Sequence, residues 1–291
     1  MKNFEDILWL GAHKTGTTYL QNVLDRSRSA LADAGILYLG LQAFRSRCTK
    51  PLLYSGSAHS GITSGVRSVC EGRGRYLIFD ENILSLVQDV QATHGLYPGG
   101  EERALHLCNT LHLDKPLLVL GVRKYSDFLP SLFCETIKAQ PFLPFHSFQK
   151  TLFSALSWCD LAERLLAAFP EARLKIYTVE AMRDREAELL SWVCGNVPPS
   201  QWTVEAQSKA RREGFSHDSM VLLHELAEAR GIDNITATDL TNCLKAHPRD
   251  SQSRSFDPWT PSEKAVLDLK YRVDVNAIRA LSRVDFWVPS A

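Results

Sequence analysis

Ile7-Leu8-Trp9-Leu10-Gly11-Ala12-His13-Lys14-Thr15-Gly16-Thr17-Thr18, continued by Tyr19-Leu20-Gln21-Asn22-Val23-Leu24, is the most informative stretch of this 291-residue chain. An apolar run of strand length stops at Gly11, and a short Gly/Thr-rich turn opens a segment with Leu20, Val23 and Leu24 on one helical side. Strand, loop and helix in that order build an anion cradle. Loop N–H groups and the positive end of the helix dipole converge on one spot.

Outward from the cradle, the chain alternates between helical and strand-like segments. Residues 18–34 read as a helix ended by Gly35, and Ile36-Leu37-Tyr38-Leu39 as a short strand. Residues 40–74 are irregular; 55–61 has no core pattern and suits a substrate-facing loop, and 62–70 suits a short helix. Arg75-Tyr76-Leu77-Ile78-Phe79 is a strand ending in Asp80-Glu81-Asn82, and Pro116–Val122 is apolar throughout, as a buried parallel strand should be. Groups just past strand C-termini face the ligand crevice of an open parallel sheet, which places Glu81 and Arg123 at its edge. Ser126 is positioned to cap the next helix, with Ser131 early within it. Residues 145–169 read as two short helices broken near Ser157, with Trp158 in the core. Arg173–Val179 is a further strand, and 184–194 a helix stopped by Gly195. Beyond Pro198-Pro199 come a basic loop at 209–214, a helix over 217–230, a polar stretch at 247–261 long enough to be a lid, and a final helix capped by Ser262 with Val266, Leu269, Val273, Ile278 and Leu281 as apolar positions. The expected fold is α/β: a central, mostly parallel sheet of about five strands flanked by helices, with a mainly helical C-terminal region. Residues 1–195 form the core and 196–291 the remainder of a single domain.

Composition narrows the function classes. Lys+Arg and Asp+Glu are both 33, so nothing in the charge favours nucleic acid or a polybasic membrane contact. No apolar run approaches the roughly 18 residues of a membrane span, and Met1–Asp6 has no signal-peptide pattern. Seven cysteines, widely spaced and without C-x-x-C, read as reduced thiols. A cytoplasmic protein is the expectation.

The spacing of Gly11, Gly16 and Thr17-Thr18 is close to the Walker loop G-x-x-x-x-G-K-[ST] of P-loop nucleotide kinases. Thr17, however, stands where that loop has lysine, and Lys14 lies two residues before the second glycine. With that displacement the stretch resembles the sulfotransferase family, whose 5′-phosphosulfate loop reads P-K-[ST]-G-T-[TS] between strand and helix. His13 replaces the proline of cytosolic members, as in many bacterial sulfotransferase-like sequences. The family's 3′-phosphate motif, an arginine after a strand and a serine eight residues on, is matched by Arg123 and Ser131, with Asp127 between them. Glu180 and Met182 match the end of the family's last core strand, whereas Val179 and Ala181 depart from it. The order of elements agrees over residues 7–195 and only faintly beyond.

The resemblance implies transfer of a sulfonate from 3′-phosphoadenosine 5′-phosphosulfate (PAPS) to a hydroxyl or amine of a carbohydrate, lipid or small metabolite, with the desulfated nucleotide (PAP) as product and no metal. Lys14 would neutralise the leaving oxygen. The 5′-phosphate would lie in the loop of His13, Lys14, Thr15, Gly16, Thr17 and Thr18, and the 3′-phosphate on Arg123 and Ser131. Arg211-Arg212-Glu213-Gly214 matches either the family's late 3′-phosphate loop or a solvated basic turn. For the base, Glu81 is the first choice, because related bacterial sequences carry Ser-Glu there and some carbohydrate sulfotransferases use glutamate. His59 is the second, as cytosolic members use histidine. Glu81 also suits a structural carboxylate at a helix N-terminus. Two other readings stand: a Mg²⁺-dependent P-loop kinase or nucleoside-triphosphatase, and a non-catalytic nucleotide-binding protein on the same fold.

Overall fold

The computed structural model describes residues 5–55, 74–204, 215–250 and 252–290. Six strands, β1 (Ile7–Trp9), β2 (Ile36–Leu39), β3 (Arg75–Phe79), β4 (Leu117–Val122), β5 (Leu174–Thr178) and β6 (Val284–Phe286), form one sheet in the order β2-β3-β1-β4-β5-β6. Every neighbouring pair is parallel. The fold is therefore α/β, with one strand more than expected. β6 comes from the C-terminal region and pairs Leu174 with Val284 and Ile176 with Phe286, so that region completes the sheet.

The main helices are α1 (Thr17–Arg26), α2 (Gly100–Leu111), α3 (Tyr125–Thr136), α4 (Trp158–Ala168), α5 (Glu186–Cys194), α6 (His217–Arg230), α7 (Ala237–Ala246) and α8 (Pro261–Ala280). They cover both faces of the sheet, as its fully buried parallel strands require. Alternate strand residues part into two cores. Leu8, Ile78, Leu118, Leu120 and Ile176 face α3, α4 and α8, while Ile7, Trp9, Leu77, Phe79 and Val119 face Leu20, Val23 and Leu24 of α1 and Leu189, Leu190 and Val193 of α5. Trp9 stacks on Phe79 with ring centroids 4.4 Å apart, and such a contact adds about 0.5–1.5 kcal/mol to simple burial.

Several local expectations shift. The first helix breaks at Ser27, where a second short helix, Arg28–Asp33, begins. Lys124, not Ser126, precedes α3, and the Ser126 hydroxyl donates to Asp268. The break expected near Ser157 is present: the short helix Phe145–Phe148 and a turn at Phe153–Ala155 precede it, and Ser157 is extended and caps α4, accepting from the Asp160 N–H. α8 is capped by Thr260 in a reciprocal capping box with Glu263, and Ser262 lies inside it. Its buried face is Leu267, Tyr271, Asp274, Val275 and Ile278, whereas Val266, Leu269 and Val273 are more than half exposed. The expected helix at 62–70 and loop at 55–61 lie almost wholly outside the described residues, as do His59, Arg211 and Arg212. Among the described residues no helix is long and apolar enough to cross a membrane.

Candidate functional site

β1 and β4 are neighbours in the middle of the sheet, yet the chain leaves them towards opposite edges. Such a switch point opens a crevice beyond the strand C-termini. The loop after β1 is tied across it: Leu10 N–H donates to Val119 O at 2.9 Å and Ala12 N–H to Gly121 O at 3.2 Å. A glycine is required at 121, because a Cβ there would lie 2.5 Å from the Tyr177 hydroxyl and 2.8 Å from Thr15 Oγ1. Thr15 itself donates to Ala12 O at 2.6 Å, closing the turn. Gly16 precedes α1, whose first helical bond is Leu20 N–H to Gly16 O. The N–H groups of Thr17 and Thr18 thus lie outside the helical ladder, at the positive end of its dipole.

Lys14 and Arg123 meet where the loop crosses β4. Arg123 Nη1 donates to the Lys14 carbonyl at 3.0 Å, and the Arg123 carbonyl accepts from Trp158 Nε1 at 2.9 Å. The Lys124 N–H donates to Glu180 at 3.1 Å, fixing the exit of β4. Both residues line a cavity of about 180 Å³, together with Asp127, Ser131, Glu135, Lys138, Arg183 and Arg249. Five cations (Lys14, Arg123, Lys138, Arg183, Arg249) face two carboxylates (Asp127, Glu135), an excess of three positive charges. Arg123 Nε is enclosed and has no hydrogen-bond partner among the described residues. Burial pulls this guanidinium down from its ordinary value, with Asp127 and Glu180 acting against the shift. A buried donor left unpaired costs about 1–3 kcal/mol, which the packing around Arg123 has to offset.

The 247–261 stretch forms one wall of this cavity, with Arg249, Ser255 and Phe256. It is pinned by bridges from Phe215 to Pro248 and from Ser216 to Ser255, and by Trp259 Nε1 donating to Ser126 O at 2.8 Å. Arg249 donates to Ser255 Oγ at 2.7 Å. Arg183, Arg249, Glu135 and Lys138 were not among the expected site residues. For Glu135 a signal exists, since it follows Ser131 by four residues on the same helical face, and Lys138 follows just past the end of α3. Arg249 carries none.

Neither His13, in the loop, nor Glu81 is part of the cavity's wall. A Cβ on Gly11 would come within 2.8 Å of the Glu81 Cβ, so the loop rests on Glu81. Glu81 is 8% exposed; Arg45 Nη2 lies 3.1 Å from its Oε1, and Gln21 Nε2 donates to its Oε2 at 3.1 Å. Burial, the largest influence, would raise its pKa, but the Arg45 guanidinium, His13 and a backbone N–H together hold the carboxyl below its ordinary range. Arg45 Nε also donates to the fully buried Asp80, at 2.8 Å, and the Thr49 hydroxyl donates to Asp80 at 2.7 Å. The His13 N–H donates to Tyr97 Oη at 2.9 Å, and its ring nitrogens lie 3.2 Å from Tyr97 Oη and Asn82 Oδ1. Burial keeps this imidazole below its ordinary pKa, with Glu81 opposing.

Four larger concavities lie elsewhere among the described residues, two of about 400 and 410 Å³ beside Tyr38 and beside Phe169 and two larger still. One of about 610 Å³ is a groove along Trp192, Phe286 and Trp287, and one of about 450 Å³ is an apolar space behind α3, at Leu132, Phe133 and Ile137. None of the four gathers a comparable set of charges, so the smaller cavity is the candidate site. In comparisons with protein-family models, curated proteins and solved structures, nothing matches the chain.

Proposed function

We propose that this protein is a sulfotransferase, moving a sulfonate from PAPS to a hydroxyl or amine of a carbohydrate, lipid or small-metabolite acceptor. The observation that carries the reading is the convergence of Lys14, Arg123 and Ser131 on one cationic cavity. A ligand with phosphate groups at two places matches an excess of three positive charges spread over separate elements. Typical ligand pockets measure roughly 300–1,000 Å³, so a cavity of about 180 Å³ suits the phosphate-bearing end of a nucleotide better than all of it.

The bound donor supplies an activated sulfonate. Sulfonate transfer demands positioning and charge stabilisation more than covalent chemistry from the protein. In this reading Lys14 neutralises the leaving oxygen, and the loop N–H groups up to Thr18 hold the 5′-phosphate. Arg123 and Ser131 hold the 3′-phosphate, since the guanidinium fork matches phosphate geometry. The excess of lysine and arginine supplies the positive charge that a kinase takes from Mg²⁺.

The test is the difference between two nucleotides, measured by calorimetry in EDTA. Wild-type protein should prefer PAP to adenosine 5′-phosphate. Arg123→Ala should weaken PAP roughly 10- to 100-fold, from the ~1.5–3 kcal/mol of a hydrogen bond to a charged group, and leave adenosine 5′-phosphate nearly unchanged. Equal losses for both would make Arg123 a structural residue. No preference in the wild type, or a strict need for Mg²⁺, would replace the sulfotransferase reading with the kinase one.

A further inference from the structure

We propose that His13 is a positioning residue of the cradle: Tyr97 and Asn82 hold it as the neutral Nε2–H tautomer, and the pinned ring keeps the loop in the shape that receives a 5′-phosphate. The second half rests on the sulfonate-transfer reading above. The loop is tied on its β4 side through Ala12, whose N–H donates to Gly121 O, and through Lys14, whose carbonyl accepts from Arg123 Nη1. The opposite side is tied through His13. Its main-chain N–H donates to Tyr97 Oη at 2.9 Å, Nδ1 lies 3.2 Å from that same oxygen, and Nε2 lies 3.2 Å from Asn82 Oδ1. His13 and Tyr97 are both buried, with their rings 5.9 Å apart and 22° from parallel. Asn82 is held in turn, its N–H donating to Asp80 Oδ1 at 3.0 Å and its carbonyl accepting from the Tyr54 hydroxyl at 2.6 Å.

The number of protons fixes the tautomer. Burial keeps the Tyr97 phenol un-ionised, so its oxygen accepts the His13 N–H and has one proton to give. Nδ1 is the acceptor within reach and is therefore bare, and the ring proton sits on Nε2, facing Asn82 Oδ1. The other tautomer would aim two N–H groups at one oxygen and leave the phenol proton buried without an acceptor among the described residues. An imidazolium has the same defect, because it adds a proton at Nδ1. The charged groups facing the ring are Glu81, which favours the imidazolium, and Arg45 and Lys14, which oppose it, as burial does most of all. A neutral ring pinned at both nitrogens, on a residue whose N–H is pinned as well, cannot turn, and Lys14 and the loop N–H groups follow it directly in the chain. Donors preformed in this way need no rearrangement when the anion arrives.

The test reads the ring and the ligand separately, on the full chain. NMR of isotope-labelled histidine nitrogens, without ligand, identifies the His13 signals as those absent from His13→Gln. At neutral pH Nε2 should carry the proton and Nδ1 none, and the ring should first take up a second proton below about pH 6.5. In Tyr97→Phe, Nδ1 loses its donor, so the two tautomers should mix and the ring should protonate at higher pH than in the wild type. Calorimetry then compares PAP with adenosine 5′-phosphate. Both carry the 5′-phosphate that the loop receives, so Tyr97→Phe should weaken both by the same factor, about 3- to 10-fold, the scale of one net hydrogen bond. Arg123→Ala, by contrast, should separate the two ligands. A His13 ring protonated on Nδ1, or charged at neutral pH, overturns the proposal. Unchanged affinities in folded Tyr97→Phe overturn it too, as does a loss confined to PAP. Should Tyr97→Phe not fold, Asn82→Ala, which removes the acceptor of the Nε2–H, takes its place in the calorimetry with the same outcomes. A wild type that binds neither nucleotide overturns the sulfotransferase reading instead, and the tautomer seen without ligand still decides for or against the hold on His13.

Discussion

Lys14 occupies the left-handed region at φ 60, between Gly11 at φ 100 and Gly16 at φ 83. For an L side chain that conformation costs about 1–2 kcal/mol, which the ties of the loop to β4 offset. The residue beside it, His13, is held in the opposite manner, by burial and two neutral partners. The unfolded imidazole takes a proton near the ordinary value of 6.5, whereas the folded one resists until lower pH. Below about pH 6.5 the unfolded state therefore binds more protons, and stability should fall by up to about 1.4 kcal/mol per pH unit from this group. His224, also lowered by burial, adds to the slope. Urea unfolding between pH 7 and 5 should show a shallower decline in His13→Gln than in the wild type. Identical slopes would mean that His13 titrates alike in both states.

α8 and α3 are joined by a buried carboxylate, and that joint places the cavity wall. Asp274 of α8 accepts from the Tyr125 hydroxyl at the start of α3, from the Ser157 hydroxyl at 2.9 Å, and from the Trp158 and Cys159 N–H groups at the start of α4. One acidic side chain thus satisfies donors at two helix N-termini, where negative charge is favoured. Asp274→Ala removes the acceptor shared by these donors, the Trp158 N–H keeping the Tyr125 oxygen, and should destabilise the protein by about 2–4 kcal/mol. PAP should still be preferred to adenosine 5′-phosphate in the folded fraction. A change below about 0.5 kcal/mol, the level of an ordinary surface substitution, would show the joint to be dispensable.

Across the whole molecule, the site joins segments distant in sequence: the loop after β1, the β4–α3 junction, Arg183 after β5, and the wall at Arg249. A ligand that bridges them binds only the folded chain and must stabilise all of it. At 100 times its dissociation constant, PAP should raise the free energy of unfolding by about 2.7 kcal/mol. The gain should persist in EDTA, because lysine and arginine provide the positive charge. Thermal unfolding with PAP, with adenosine 5′-phosphate and with ATP plus Mg²⁺ checks this, and a larger shift for ATP plus Mg²⁺ would favour kinase chemistry.

Local spacing was enough for the cradle, because strand, Gly11, Lys14, Gly16 and helix follow one another within a few residues and their geometry is set by backbone rules. The same holds for β3 and β4, whose apolar runs admit no other packing, and for the eight-residue interval from Arg123 to Ser131, which a strand end and a helical turn translate into distance. What tertiary structure alone decided lies where distant segments meet. β6 is three residues long with an exposed Asp285 at its centre, too short to signal a strand until β5 offers it an edge. The buried face of α8 was hidden because Asp274 is polar, and only the donors waiting on α3 and α4 make its burial favourable. Arg249 reaches the cavity through bridges to Phe215 and Ser216, more than thirty residues away. Glu81 stands past its strand as expected, yet Arg45, thirty-six residues earlier, determines its charge environment. No local pattern encodes such a meeting, because it depends on which surfaces the sheet brings together.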